Sequence, residues 1–286
     1  MPGNLGKLAL ALPERAAGTH LLARHAAFRA EDCVCRMHAR SPVVERAHPR
    51  AAIAVMLAGA FHARGSAGET VLGPGAMLLK NATTTHEYRH LDDGGDRTIT
   101  FEYEDAFLED VRVSFGARRR AFDCIAIPAS ADTAAAVALA HQAACNGDAG
   151  TLHDAAMAVA AAAIASDWGR SNQLAAPTLA QTRRVARVLR YLDAHSADDC
   201  SLDTLAALAG LTSFHFVRVF RAVTGQTPRQ YVIAARLRAA AIALHSTRTP
   251  IMEVAFDAGF GDVSHFTTSF RRAFGVSPRR YRNATP

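Results

Sequence analysis

The chain has 286 residues, 50% of them hydrophobic and 20% charged, with a net charge of +6 at neutral pH. It is long and apolar enough for one or two packed domains. It contains no run of about 18 uninterrupted apolar residues, and its first twenty residues lack the basic start and apolar stretch of a signal peptide, so it reads as cytoplasmic with no membrane partner. Its five cysteines, without an export signal, read as thiols rather than disulfides.

Residues 1–128 have the texture of a β domain. Apolar and β-branched runs at Ile53 to Phe61, Ala76 to Leu79 and Thr98 to Tyr103 are separated by Gly68, Gly73-Pro74-Gly75 and Asp92-Asp93-Gly94-Gly95-Asp96. Alternation along Thr98 to Tyr103 places Ile99, Phe101 and Tyr103 on one face of a strand. Several short strands with turn signals predict a small barrel or sandwich. The Gly73-Pro74-Gly75 turn followed by His86-Glu87-Tyr88-Arg89-His90 resembles cupin-like sensor domains.

Two constellations in this region bear on chemistry. His86 and His90 are four residues apart, so on a strand they share a face and could co-ligate a metal or touch an effector. They do not form the His-x-His of metal-binding cupins, which weighs against a cupin-type metalloenzyme. Cys33, Cys35 and His38 offer soft ligands for zinc or copper and would make the chain a thiol or metal sensor. The competing reading is that alternation buries Cys33 and Cys35 on one face as small hydrophobes. No catalytic residues and no cofactor are assigned, and the chain is not read as an enzyme.

Residues 129–168 are Ala-rich and predict two helices, Asp132 to Cys145 and Leu152 to Trp168. The stretch Ala155 to Ala165, apolar on every side, should pack on the barrel or on a second subunit, giving a helical connector and a homodimer contact. Residues 169–177 are rich in Gly, Ser, Asn, Gln and Pro and read as a linker.

From residue 178 onward one pattern is written twice. The first copy runs Leu205, Ala206, Gly210, Thr212, Phe216, Phe220, Arg221, Gly225, Thr227, Pro228, Tyr231, and the second runs Val254, Ala255, Gly259, Asp262, Phe266, Phe270, Arg271, Gly275, Ser277, Pro278, Tyr281. The offset is fifty from Phe216 onward and forty-nine between Ala206 and Gly210, because the second turn holds one residue more. Each copy predicts a helix, a Gly-containing turn and a second helix, over about 201–224 and 251–274. Phe216, Val219, Phe220 and Val223 should face inward, with Phe266, Phe270 and Phe274 as their counterparts. The outward residues are Phe214, Val217, Arg218 and Arg221 in the first unit, and Val263, Ser264, Thr267, Thr268 and Arg271 in the second. A long helix through Tyr231, Leu237 and Leu244 should fix the separation of the units.

Residues 178–286 resemble the DNA-binding domain of the AraC/XylS family of bacterial transcription regulators. The carriers include Arg218-Val219-Phe220-Arg221, Gly225-Gln226-Thr227-Pro228, Ala255 to Phe260, Ser264-His265-Phe266 and Ser277 to Arg282. The resemblance implies seven helices that set two recognition helices into successive major grooves of promoter DNA. It places Phe214, Val217 and Arg218, and then Val263, Ser264 and Thr268, near base edges, with Thr268 standing where the family often has Arg. The mechanism expected for the chain is binding to promoter DNA with occupancy, dimer geometry or RNA polymerase contact altered by a small-molecule effector at the N-terminal domain. Independently of the family, residues 178–286 carry 15 Arg, no Lys and 7 acids, a net +8, while the preceding segment nets −2. A basic part joined to a mildly acidic one suits a partner with phosphates on one side only. The predicted fold is α+β in two domains: a cupin-like barrel or sandwich with a helical connector, then an all-α tandem helix-turn-helix domain.

Overall fold

The structure, a computed structural model, describes residues 17–283 apart from 92, 115–120, 147, 169–177 and 199–200, and apart from the side chains of Asn146, Trp168 and Phe214. The predicted linker at 169–177 and Cys200 therefore lie outside the described residues, as does the Phe214 side chain.

The N-terminal region is sheet-rich. Strands β1 (Gly18–Arg24), β2 (Phe28–Cys35), β9 (Asp96–Tyr103), β4 (Ala52–Gly59), β7 (Met77–Lys80) and β10 (Ala126–Ile127) form a six-stranded sheet in that spatial order. A four-stranded sheet runs β3 (Val44–His48), β8 (Thr84–His90), β5 (Phe61–Gly65), β6 (Gly68–Leu72). Every pairing is antiparallel. Ala54, Met56 and Leu78 from the large sheet meet Phe61, Ala63 and Leu72 from the small one, so the two sheets pack face to face.

Period-two alternation decides what each face does. On β2 the residues Phe28, Ala30, Asp32 and Val34 are buried, while Arg29, Glu31, Cys33 and Cys35 alternate with them and are only half-buried. Phe28 and Ala30 join Ile99, Phe101 and Tyr103, as the alternation predicts for β9, in a core on the outer face of the large sheet. Helices α1 (Asp105–Ser114), α2 (Ala134–Asn146) and α3 (Ala149–Trp168) follow in this region. Residues of all three, Leu108, Val137 and Val159 among them, belong to that outer core. The Tyr103 hydroxyl donates to the Ala156 carbonyl at 2.9 Å. Arg97 holds Asp32 through two hydrogen bonds of 2.9 Å, both side chains buried. By length and composition α3 could cross a membrane, yet Ala155, Ala156, Val159, Ala160, Ala163 and Ile164 lie in the sheet core.

The C-terminal region is all helix: α4 (Leu179–His195), α5 (Leu202–Ala209), α6 (Ser213–Thr224), α7 (Pro228–Ser246), α8 (Ile251–Asp257), α9 (Val263–Phe274) and α10 (Pro278–Asn283). It builds two cores. One joins Leu189, Leu192, Leu205, Phe216, Phe220 and Tyr231 with Ala60, Val71, Leu91 and Ala129 of the N-terminal region. The other joins Leu237, Leu244, Val254, Phe266 and Phe270 with Ala134 and Ala138 of α2. Each helix-turn-helix core is thus completed by residues from the first half of the chain. At about 1.5–3 kcal/mol for a fully buried large apolar side chain, Leu189 and Phe220 alone give this junction substantial stability.

The chain crosses from one sheet to the other at Gly59, whose φ is +78°. A Cβ there would stand 2.1 Å from the Gly95 carbonyl oxygen and 2.7 Å from the Asp96 Cα. Both contacts are with backbone, so neither can yield cheaply. Gly59→Ala is therefore expected to destabilise by more than the roughly 1–3 kcal/mol of the left-handed backbone strain alone. Thermal unfolding should show a loss of several degrees, and an unchanged melting temperature would refute the close approach.

Candidate nucleic-acid interface

Each recognition helix is delimited by side-chain chemistry at its ends. Ser201 caps α5 by accepting from the Thr204 amide at 3.1 Å. Gly210, at φ +64°, ends it, and the Leu211 amide turns back to the Ala206 carbonyl at 3.0 Å. Thr212 then caps α6, and Gly225 ends it in the left-handed region. In the second unit Asp262 caps α9 by accepting from the Ser264 and His265 amides at 3.1 and 2.9 Å. Those two donors hold its carboxyl below the usual carboxylate range. Gly275 closes α9 as Gly225 closes α6.

Behind the helices the sequence repeat becomes a structural one. Phe216 and Phe220 have ring centroids 5.4 Å apart, and Phe220 meets Tyr231 edge-on at 5.8 Å. Fifty residues on, Phe266 and Phe270 are 5.4 Å apart and Phe270 meets Tyr281 edge-on at 5.3 Å. The Tyr in each unit comes from the helix that starts at the Pro, where Thr227 accepts from the Gln230 amide and Ser277 from the Arg280 amide, both at 3.3 Å.

With those aromatic rows turned inward, the opposite faces meet solvent. Arg218 and Arg221 on α6 are exposed, and Val217 is half-buried. On α9, Ser264, Thr268 and Arg271 are exposed, Thr267 is half-buried, and Val263 is half-buried against the second core. Phe274, predicted inward, is partly buried there and stacks on Phe270 at 4.1 Å. Arg272, Arg279 and Arg280 add exposed positive charge near the same end of the chain. These faces present a pair of cationic, hydrogen-bonding surfaces to solvent.

A polar junction that the sequence does not announce holds these helices to the sheets. Arg238 of α7 is buried, and Gly75 has no Cβ where one would stand 2.2 Å from the Arg238 Nη1. The Tyr231 hydroxyl donates to the Pro74 carbonyl at 3.2 Å. The Gly59 amide donates to Asp193 of α4 at 3.5 Å, and Arg190 Nη2 donates to the Gly95 carbonyl at 3.4 Å. Thr70 of β6 donates to the Val223 carbonyl, near the C-terminal end of α6, at 3.2 Å. The only signals in the sequence were a charged residue at an inward position of α7 and a glycine-rich turn.

The N-terminal candidates fall differently from the expectation. His86 and His90 share the inner face of β8 but belong to separate groups, since four residues of strand put them roughly 13 Å apart. His86 packs on His48 at 5.3 Å beside Tyr88, whose hydroxyl is 2.9 Å from His48 Nε2. Burial and the neighbouring Lys80 push His48 down to about 3, and burial brings Lys80 to about 8. His90 instead lies 3.6 Å from the Cys35 sulfur through Nε2 and 3.1 Å from Asp96 through Nδ1. Cys33, Cys35 and His38 do not converge: β2 ends at Cys35, His38 is exposed on the following loop, and Cys33 contacts Thr19 at 3.5 Å. The two cysteines share the face of β2 that looks away from its main core, so neither is the fully buried hydrophobe that alternation suggested.

A helix-turn-helix domain family profile matches residues 205–284. The regulatory protein SoxS of Salmonella typhimurium is 32% identical over 99 residues, which cover 35% of this chain and 92% of SoxS. The transcriptional regulator Rob of the same organism is 36% identical over 98 residues. That match covers 34% of this chain and 34% of Rob, so the chain spans about a third of the length of this relative. Among solved structures, the DNA-binding domain of the global transcriptional factor AdpA in complex with a target DNA aligns at 34% identity and a TM-score of 0.34. It covers 35% of this chain and 91% of that one.

The junction carries a titration. Burial raises the Asp193 carboxyl to about 7, against the opposing pull of Arg238, the Gly59 amide and Arg190. The folded state then holds a proton that the unfolded chain has released above about pH 4. The stability this proton confers is complete below about pH 4 and is lost as pH rises through about 7. Asp193→Asn should flatten the fall in melting temperature between about pH 4 and 7 and raise the value at and above the upper end. A variant with the wild-type slope would show that this carboxyl does not titrate in that window.

Proposed function

The chain belongs to the AraC/XylS family of transcription regulators, and from that membership we propose that it binds promoter DNA sequence-specifically through α6 and α9 in successive major grooves. The observation that carries this reading is the pair of recognition helices with matched caps, matched aromatic cores and outward arginines. Phe214, Val217, Arg218 and Arg221 would form the first contact set, and Val263, Ser264, Thr267, Thr268 and Arg271 the second. The Arg218 guanidinium has the fork geometry for guanine O6 and N7, while Thr268 offers a methyl and a hydroxyl in the second groove. Arginine elsewhere on these helices would follow phosphates and displace counterions.

We divide the chain into a cupin-like sensor at 1–128, a connector at 129–168, a linker at 169–177 and the DNA-binding part at 178–286. The protein acts in the cytoplasm as a regulator and not as an enzyme. An effector bound between the sheets would meet Lys80, His48, His86 and Tyr88, a polar group in an otherwise apolar interior. It would alter DNA occupancy or RNA polymerase contact to the extent that it binds one arrangement of the junction better than the other. The outer face of α3, where Met157 is 41% exposed, is the surface we assign to a homodimer.

The deciding experiment is selection of bound duplexes from a random pool by the full-length protein at near-physiological salt. It should enrich two short blocks about one helical turn apart, and absence of any enriched sequence, repeated with residues 178–286 alone, would defeat the reading. Arg218→Ala should cost about 1–3 kcal/mol on the selected site and relax preference at one base position. Equal weakening on all sequences would reassign Arg218 to a phosphate. Affinity should also fall steeply with salt in a titration of binding against ionic strength, and a flat response would contradict the phosphate-tracking arginines.

A further inference from the structure

Cys35, His90 and Asp96 stand in line where the ends of β2 and β8 meet the start of β9. Asp96 is paired with Cys35 across the β2–β9 ladder, and His90 closes β8 on the opposite sheet, so three elements converge. The Cys35 sulfur is 3.6 Å from His90 Nε2, and His90 Nδ1 is 3.1 Å from an Asp96 carboxylate oxygen. His90 and Asp96 are 8% and 5% exposed, whereas Cys35 is half-buried. Cys35 and Asp96 engage opposite nitrogens of one imidazole, whose lone pairs diverge. The geometry is therefore a relay through the ring and not a chelate around one ion.

We propose that Cys35, whose sulfur faces the His90 ring that Asp96 orients, is the nucleophile at which this protein is oxidised by hydroperoxides, reacting as the thiolate. Hydrogen bonds to Asp96 and Cys35 raise His90 to about 9, so the ring carries its second proton at neutral pH. In the step, the Cys35 sulfur attacks the terminal oxygen of R–O–OH, forming an S–O bond as the O–O bond breaks. The departing oxygen leaves with the electron pair and takes the proton from His90 Nε2. Sulfur is oxidised by two electrons to a sulfenic acid, the peroxide is reduced to an alcohol or water, and neutral His90 remains. His90 is thus a proton donor to the reaction and Asp96 a positioning residue.

The other described cysteines lack this arrangement. Burial raises the Cys33 thiol, which keeps it protonated. Cys124 donates to the Asp167 carboxylate at 2.9 Å, a neighbour that disfavours the thiolate. Cys145 is exposed, and its sulfur is 3.8 Å from His141. Cys33 cannot resolve the sulfenic acid as a disulfide, because two residues along a strand separate the side chains by roughly 6–7 Å, beyond disulfide reach. With Cys33 out of reach, the sulfenic acid is open to trapping or to an adduct with a small thiol. None of this depends on how the protein reads DNA.

The test treats reduced full-length protein with limiting hydrogen peroxide, traps sulfenic acid with a cyclic 1,3-diketone, and quantifies each cysteine by peptide mass spectrometry. Cys35 should be labelled about tenfold faster than the more exposed Cys145. His90→Asn should bring Cys35 down to the Cys145 rate, and Asp96→Asn should lower it in part. Labelling of Cys145 first, or a folded H90N protein with the wild-type Cys35 rate, would overturn the proposal. Should H90N fail to fold, the competition among cysteines in the wild-type protein decides the matter alone.

Discussion

Arg238 is 5% exposed at the point where α7 passes the Gly73-Pro74-Gly75 turn, and a guanidinium that far from water must be met by polar groups or it would unfold its surroundings. Tyr231, about two turns earlier on the same helix, and Asp193 on α4 supply them. Both are themselves tied to the sheets, Tyr231 at the Pro74 carbonyl and Asp193 at the Gly59 amide. The charge therefore dictates where α4 and α7 sit, and those two helices dictate where the recognition helices sit. Gly75 follows from the same constraint: with φ +86° and the Arg238 guanidinium occupying the space of a Cβ, only glycine satisfies both backbone and neighbour.

That dependence makes the two repeat units unequal. The first unit shares its core with Ala60, Val71 and Leu91, its Tyr231 is buried and donates into the β7-side turn, and the end of α6 is held by Thr70. The second unit's core takes Ala134 and Ala138 of α2 from the N-terminal half, with Ala131 packed against it, and its Tyr281 stays half-buried. A polar turn clamped on one unit and a patch of alanines on the other differ in kind: hydrogen bonds fix an angle, whereas small apolar side chains permit sliding. A rearrangement of the sheets would thus reach α6 directly and α9 through α7.

The helical half was legible because its determinants are local. Caps, Gly stops and the inward aromatic rows are each set within a few residues, and a repeat at an offset of fifty exposes them twice. The strand alternation of Ile99, Phe101 and Tyr103 was legible for the same reason. The partnership of β2 with β9 and the docking of α7 on the turn join residues more than sixty positions apart, for which one sequence holds no signal. The histidines show the boundary. Period two placed His86 and His90 on one face correctly, but their partners, His48 and the Cys35–Asp96 pair, come from other strands, so one predicted group became two. Cys33 and Cys35 were grouped with His38 by proximity in sequence, and the chain turns away before His38 can join them.

The relay at Cys35 and the junction at Asp193 share a single stretch of backbone. Gly59 pairs with Asp96 across the β4–β9 ladder and gives its amide to Asp193, while Gly95, one residue before Asp96, accepts from Arg190. Neither glycine can yield: a Cβ on Gly59 would strike the Gly95 carbonyl, and one on Gly95 would lie 2.3 Å from the Cys35 carbonyl oxygen. Asp96 therefore has the imidazolium of His90 on its side-chain side and the α4 contacts on its backbone side. Oxidation of Cys35 adds an oxygen to the sulfur that faces His90 Nε2, so the ring keeps Asp96 on one nitrogen and meets a changed partner on the other. Asp96 follows Gly95 in sequence and lies opposite Gly59 in the ladder, and those two glycines make the backbone hydrogen bonds that reach α4. A chemical change at this half-buried thiol therefore takes place within one ladder pair of the contacts that hold α4 to the sheets.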